Sequence, residues 1–354
     1  AGGPAGLALV VALSAAAGGA AATDERTDGT YFRLVDPARR VLTMTARVLV
    51  PGDVYIDRDN RRWVVQAVRG YEVLMRPSGT DGTDGHGLQA PAAPLVAGAG
   101  QRPGGTVAIY FTHNDESYVP TSGKPWKPRG DVLQVGEALA AALRRQGVDA
   151  TVSRRSHTPH DGQAYLRSRR TAVQLVRLRP AMLVDVHRDA VPPQVYATRL
   201  KGRPAVRVRL VVGRQNPQMA ANLEFARRVK AVADRELPGS IEGIFLAHGN
   251  YNQDLHPRAL LLEFGAHSNS LPQAEATADL FAGVLARAAG IGPAGPAAGA
   301  GAARQLGAAA WRAVLALVVG AGGAALAYVG VNRPDLVRRW LRRLSRFTDP
   351  LQGR

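Results

Sequence analysis

Two short polar islands in this chain hold residue types that can do chemistry. Thr112-His113-Asn114-Asp115-Glu116-Ser117-Tyr118 and Asp185-Val186-His187-Arg188-Asp189-Ala190 each follow an aliphatic run that reads as a buried strand. Strand exits are where polar side chains of an open α/β sheet converge on a substrate. A third candidate, Glu263, follows Leu260-Leu261-Leu262 directly, a place where an unpaired carboxylate is costly. Two neutral imidazoles and one carboxylate fill three positions around zinc and leave the fourth for water. Another carboxylate, held off the metal in an apolar setting, has a raised proton affinity and suits a general base and acid. His113, Glu116, His187 and Glu263 together satisfy that recipe. Taken singly they have plainer readings, because a strand-end histidine is commonly a hydrogen-bonded structural residue. Asp185 and Asp189 read either as loop caps or as carboxylates steadying an imidazole. No short zinc signature of the His-Glu-x-x-His type is present.

Composition limits what these residues can be part of. The chain has 354 residues, 46% of them hydrophobic, enough for one sizeable core and a smaller unit. Cysteine is absent, which excludes disulfides and thiolate chemistry and leaves any metal to nitrogen and oxygen ligands. The net charge of +17 comes from arginine clusters at Arg144-Arg145, Arg154-Arg155, Arg167 to Arg179 and Arg199 to Arg209, with a separate terminal group from Arg338 to Arg346. Such a spread suits an anionic partner, for example a cell-wall polymer or phospholipid head groups. No finger, basic zipper or aromatic-interleaved RNA-binding pattern accompanies it, so no nucleic-acid partner is expected.

Both ends of the chain read as membrane-related. Leu7 to Ala22 is apolar and rich in small residues, and gives way to Asp24-Glu25-Arg26. Residues 1–27 are therefore expected to be an export signal or an anchor. Trp311 to Val331 is a 21-residue apolar run interrupted by Arg312 near its edge. A helix of that length spans the hydrocarbon of a bilayer, with Trp311 and Tyr328 as interfacial aromatics; a buried hairpin helix is the alternative. The tail, 332–354, carries seven arginines against two aspartates, which favours a cytoplasmic C-terminus and an extracytoplasmic main domain.

Between the ends, residues 28–76 hold short β-prone runs separated by turn residues and read as a small β unit without catalytic spacing. Residues 77–104 and 290–310 are dominated by small and turn-forming residues and read as linkers. The central region, 105–289, alternates apolar strands with helical periodicity. Strands are predicted at 107–111, 148–152, 181–186, 205–213, 241–246 and 259–264, and helices at 132–143, 163–178, 217–236 and 272–288. The first of these helices places Val132, Val135, Leu139 and Leu143 on one face. The expected fold is an open, mostly parallel α/β sheet flanked by helices, preceded by the small β unit and followed by a transmembrane helix.

At these residues a family resemblance becomes visible. Ile109 to Tyr118, His160-Asp161, Asp185 to Ala190, Tyr251-Asn252-Gln253-Asp254-Leu255 and Leu262-Glu263-Phe264-Gly265 resemble the stage II sporulation protein P family, in order, over residues 105 to 288. The resemblance implies a zinc-dependent peptidoglycan hydrolase related to the N-acetylmuramoyl-L-alanine amidases, with endopeptidase cleavage of cross-links as a further activity. It implies action in forespore engulfment, within a membrane complex with sporulation proteins D and M. By motif, His113 and His187 carry over as metal ligands, Glu263 as the catalytic carboxylate and Glu116 as the third ligand, with Glu137 as a rival. Phe111 stands where the family commonly has a second histidine, and a membrane segment after the catalytic region differs from the usual N-terminal anchor.

Arg188 is the remaining site candidate, either meeting a stem-peptide carboxylate through its fork of donors or forming an ion pair at the surface. His248, His256 and His267 match no family histidine and read as structural or surface residues. Two other classes stay open: a noncatalytic wall-binding scaffold, and a metal-dependent deacetylase or esterase using the same site.

Overall fold

The computed structural model describes residues 25–81 and 105–291. Their strands are β1 (Phe32–Val35), β2 (Val41–Thr45), β3 (Val54–Ile56), β4 (Arg61–Arg69), β5 (Glu72–Thr80), β6 (Val107–Tyr110), β7 (Ala150–Val152), β8 (Met182–Asp189), β9 (Ala197–Leu200), β10 (Arg203–Val206), β11 (Val208–Gly213), β12 (Ile241–Ala247) and β13 (Ala259–Ala266). The helices are α1 (Val119–Ser122), α2 (Val132–Arg145), α3 (Ala164–Val176), α4 (Met219–Glu236) and α5 (Leu271–Ala289).

Eleven strands form one sheet in the order β2-β1-β5-β4-β3-β12-β11-β13-β8-β6-β7, and β9 and β10 form a separate hairpin. The expectation of a mostly parallel sheet is corrected: the sheet is mixed, and with the hairpin included antiparallel pairings outnumber parallel ones. The reason lies in the connections. Parallel neighbours need a long crossover, usually a helix. A helix joins β6 to β7, β7 to β8, and β11 to β12, and these strands run alike. No α-helix lies between β8 and β11 or between β12 and β13, and there the chain reverses, leaving β11 antiparallel to β13. The β unit also does not merely precede this sheet, because β3 pairs antiparallel with β12, Tyr55 opposite Phe245.

The central strands are buried along their whole length, and their side chains alternate between two cores, one on each face. Val184, Val186, Leu210, Val212, Leu260 and Leu262 face a core filled by Val135, Leu139 and Leu143 of α2, Phe225 of α4 and Phe281 of α5. The α2 stripe read from the sequence is therefore the one that packs. Val211, Phe245 and Leu261 point the other way and meet Phe32, Leu34, Trp63, Val65 and Met75 of the N-terminal strands. Beyond them α3 covers Tyr110 and Leu183 with Ala172 and Leu175. Residues 32–80 thus supply the second cover of the central strands.

The expected membrane-spanning helix, and the membrane-anchored placement built on it, are also corrected. Among the described residues no helix is long and apolar enough to cross a membrane. The longest, α5 with 19 residues, carries Glu275, Asp279 and Arg287. The run 311–331, like segments 1–24, 82–104 and 332–354, lies outside the described residues.

Candidate metal centre

The first island leaves β6 as a tight loop pinned from two sides. Asp185 of the neighbouring β8 accepts hydrogen bonds from the Thr112 N–H at 2.8 Å and the Thr112 hydroxyl at 2.6 Å. The Glu116 N–H donates back to the His113 carbonyl at 3.2 Å, turning both side chains to the same place. Gly130 permits the next contact, since a Cβ there would stand 2.2 Å from the Glu116 carbonyl oxygen. With only a hydrogen at that point, the Val132 N–H at the start of α2 reaches the Glu116 carbonyl at 3.2 Å.

The second island lies within β8 itself. Val184 and Val186 point into the helix-covered core, so alternation sends Asp185 and His187 to the opposite face. His187 is in register with Glu263 on β13, whose Leu260 and Leu262 occupy that same core. His187 and Glu263 consequently stand side by side on one face of adjacent strands. Past Glu263 the register shifts, and Gly265 adopts φ 73°, a left-handed bulge that only glycine takes without strain.

The side chains meet in a buried cluster. His113 Nδ1 is 3.7 Å from Glu116 Oε1, and His187 Nδ1 is 3.6 Å from Glu116 Oε2. Neither distance is a hydrogen bond. Both nitrogens of His113 and Oε1 of Glu116 are buried without a hydrogen-bond partner. Orphaned imidazole nitrogens facing a carboxylate oxygen that has a charge neighbour in Arg188 but no hydrogen bond form a donor set that a cation would satisfy. His187 fits the same role: its Nε2 lies 3.1 Å from Asp185 Oδ1, which leaves Nδ1 turned toward Glu116. Ligating histidines commonly have a carboxylate beside their other ring nitrogen, and Asp185 stands in that place as a charge neighbour, with no hydrogen bond to His187 Nε2.

Two residues that the sequence did not mark as ligands join His113 and Glu116, and His187 is not one of this group of four. Glu25, His113, Glu116 and His160 each offer a ligand atom, and these four atoms lie within 4.8 Å of one another, a group able to hold a metal ion. His160 bridges two carboxylates, with Nε2 2.7 Å from Glu25 Oε1 and Nδ1 3.0 Å from Asp115 Oδ1. Burial opposes its charge, but the two carboxylates prevail and raise its pKa to about 10. Burial likewise opposes ionisation of Glu25, yet the His160 hydrogen bond and the Arg188 charge lower it to about 2. Since both ring nitrogens of His160 are engaged, His113 and His187 are the freer donors. For Glu116 burial is outweighed by Arg188 and His187, holding the carboxylate well below its ordinary range.

Arg188 is fully buried, not a surface residue. Its Nη1 stands 3.4 Å from Glu116 Oε1 and 3.8 Å from Glu25 Oε1, its Nη2 donates to the Pro125 carbonyl, and its guanidinium lies over the Trp126 ring. Glu137 stays away on the outer side of α2, paired with Arg154 at 2.5 Å. His256 is held by the Pro180 carbonyl and the Arg258 N–H, and the His267 N–H donates to the Asp189 carbonyl.

Glu263 sits in an ionic network of its own. Its Oε1 accepts from Arg47 Nη2 at 2.7 Å and its Oε2 from the Tyr196 hydroxyl at 2.8 Å, with Arg209 Nη1 at 3.7 Å. Burial, with the nearby Asp189 charge, raises its pKa against the pull of Arg47 and Arg209. Asp189 accepts from Arg209 at 2.5 Å and the Ala46 N–H at 3.0 Å, and lies 3.0 Å from the Tyr196 hydroxyl, whose one proton it shares with Glu263. Arg47 was invisible as a site residue because its partner lies more than two hundred positions along the chain. The available signal was a lone arginine in the apolar run Val41 to Val50, since a buried guanidinium requires an anionic partner. Arg209 within Val208 to Val212 carries the same signal.

A mixed, helix-flanked sheet with histidines and carboxylates gathered at neighbouring strand ends defines an α/β protein with a candidate metal centre. The family model described as stage II sporulation protein P matches residues 82–286, more than half of the chain. The chain belongs to that family. It is 33% identical over 199 residues to the stage II sporulation protein P of Bacillus subtilis, covering 49% of this chain and 50% of that one. The chain therefore matches about half the length of this curated relative. Among solved structures it is similar to the N-acetylmuramyl-L-alanine amidase of Mycobacterium smegmatis, 16% identical with a TM-score of 0.38, covering 54% of this chain and 99% of that one. It is also similar to an N-acetylmuramoyl-L-alanine amidase of Nostoc punctiforme, 16% identical with a TM-score of 0.35, covering 54% and 97% respectively.

Proposed function

We propose that this protein is a zinc-dependent peptidoglycan hydrolase that cleaves the amide between N-acetylmuramic acid and the L-alanine of the stem peptide, acting in spore engulfment. The observation that carries this reading is the buried meeting of His113, Glu116 and His187, with orphaned donor atoms on His113 and Glu116. Membership in the stage II sporulation protein P family supports the substrate class and makes sporulation proteins D and M its proposed partners. His113, Glu116 and His187 would hold the metal. A zinc ion bound there supplies Lewis acidity toward an amide carbonyl and an attacking water.

The remaining chemistry belongs to the chain. Glu263 takes the proton from the attacking water and returns it to the departing nitrogen. Arg47 and Tyr196, one on each carboxylate oxygen, fix its orientation. Burial and Asp189 raise its proton affinity while Arg47 and Arg209 limit the rise, which suits a group that both accepts and gives a proton.

The test is mass spectrometry of purified muropeptides digested with and without a chelator. The expected result is a new free L-alanine amine, abolished by the chelator and restored by zinc. Release of acetate instead would point to a deacetylase and overturn the amidase reading. In the same assay Glu263→Gln is expected to retain zinc and lose about 100- to 10,000-fold in rate. A normal rate in that variant would refute the role of Glu263.

A further inference from the structure

The carboxylate end of a stem peptide calls for a cationic partner, and Arg188 is not open to it, being fully buried beside Glu116 and Glu25. The arginine clusters at 154–155 and 167–179 supply another place. A cleft of about 460 Å³ is lined by Arg155 from the segment after β7 and by Leu166, Arg167 and Arg170 from α3. No carboxylate is among the described residues that line it. Arg167 is already committed, with Nη2 2.5 Å from Asp161 Oδ1 and Nε donating to the His157 carbonyl at 2.6 Å. Arg155 and Arg170 are exposed and, among the described residues, have no ion pair. Two open guanidinium groups lining one cleft attract an anion.

Leu166 connects this cleft to the candidate centre. It is 65% exposed, the most exposed large apolar side chain among the described residues, and it lines a second cleft of about 400 Å³ as well. Tyr165 lines that second cleft, and its ring centroid lies 5.6 Å from that of His113 and 6.3 Å from that of His187. The basic cleft is tied to the same place through His157, whose N–H donates to Asn114 Oδ1 at 2.5 Å, one residue from His113. We propose that the basic cleft binds the C-terminal carboxylate of the stem peptide, Arg155 and Arg170 pairing with it and Leu166 forming the apolar ridge that the peptide crosses on its way from the centre. The inference rests on the amidase reading given above and names the subsite for the peptide side of that substrate. An extended peptide of four residues reaches about 13 Å, enough to cross the width of one helix, about 10–12 Å. A peptide fits this place better than a phosphate polymer, because its aliphatic side chains can cover Leu166 while its terminus meets the arginines.

The test uses the full chain and two muropeptides, one with a free C-terminal carboxylate and one with that carboxylate amidated. Wild type, Arg155→Gln, Arg170→Gln and the double variant are compared for kcat and KM in turnover and for affinity by calorimetry, with inorganic phosphate as a competing probe. Both arginines are exposed, so the variants are expected to keep the wild-type denaturation midpoint. Each single variant should raise KM for the free carboxylate about two- to fivefold and the double variant about tenfold, with kcat held within about twofold. For the amidated muropeptide wild type should already show the higher KM, and the variants should add nothing. Equal changes in KM for the two muropeptides, or no change for either, would overturn the subsite. Phosphate binding as tightly as the carboxylate muropeptide, and weakened by the same substitutions, would mark a general anion cleft and overturn the peptide assignment. If neither muropeptide is cleaved but calorimetry shows the carboxylate preference and its loss in the double variant, the subsite stands and the amidase reading falls.

Discussion

Asp185 holds both islands at once. One carboxylate oxygen receives the Thr112 N–H and lies 3.1 Å from His187 Nε2, while the other receives the Thr112 hydroxyl. Replacing it by Asn keeps the shape and leaves an oxygen between the Thr112 N–H and His187, but it turns an NH2 toward the Thr112 hydroxyl and removes the negative charge that steadies the ring. Asp185→Asn is expected to weaken metal binding about 10- to 100-fold, measured by competition with a chromogenic chelator. An unchanged affinity would show that His187 is not a ligand oriented from behind by Asp185. At this scale the sequence singles out His113, Glu116, His187 and Glu263, because each is polar directly after or close to a run of aliphatic residues. It could not disclose Glu25 or Arg47, whose roles exist only through contacts with His160 and Glu263 from a distant part of the chain. Asp185 was legible as a residue and ambiguous in role, since a loop cap and an imidazole partner have the same sequence.

Elements place Glu116 through the start of α2. Asp131, just before that helix, accepts the Tyr118 N–H at 3.0 Å and the Ser122 hydroxyl at 2.7 Å, and pairs with Lys127. Burial alone would raise its pKa, but Lys127, the Tyr118 N–H and Ser122 outweigh it and hold the carboxyl below its ordinary value of 3.8. A group depressed in the folded state contributes stability above its unfolded pKa and loses it as pH falls through the folded one. Asp131→Asn is expected to cost about 1–3 kcal/mol at neutral pH in denaturant unfolding. That difference should hold above about pH 5 and shrink in acid, because wild type loses there what the variant never had. A difference independent of pH would mean that the charge of Asp131 is not what ties the loop to α2. The helices were readable from their period, as in Val132, Val135, Leu139 and Leu143, all buried. Strand direction was not, since alternation along β11 or β13 is the same whichever way the neighbour runs. The run 205–213 likewise reads as one strand, yet it divides between β10, which turns back on β9, and β11 in the main sheet.

For the molecule as a whole, the sheet makes residues 25–81 and 105–291 interdependent. Without the N-terminal strands β12 loses its β3 partner, and Val211, Phe245 and Leu261 lose the cover of Tyr55, Trp63 and Met75. Charges are stranded as well. Glu263 loses Arg47, and Glu242 loses Arg58 and Thr43, although it keeps Arg209 at 3.3 Å. Breaking one buried ion pair costs about 3–5 kcal/mol, and a domain of this kind has about 5–15 kcal/mol of stability in all. The loss of the buried Arg47–Glu263 pair, a smaller one at Glu242, whose partner Arg58 is half-exposed, and an uncovered apolar face together take most of that stability. Residues 105–291 produced alone are therefore expected to lack a cooperative denaturant transition and to bind a hydrophobic dye, whereas residues 25–291 unfold in one step. A cooperative transition of the shorter chain at the midpoint of the longer one would show that the N-terminal strands are a detachable layer. The site itself would then have to keep Glu263 in place without Arg47.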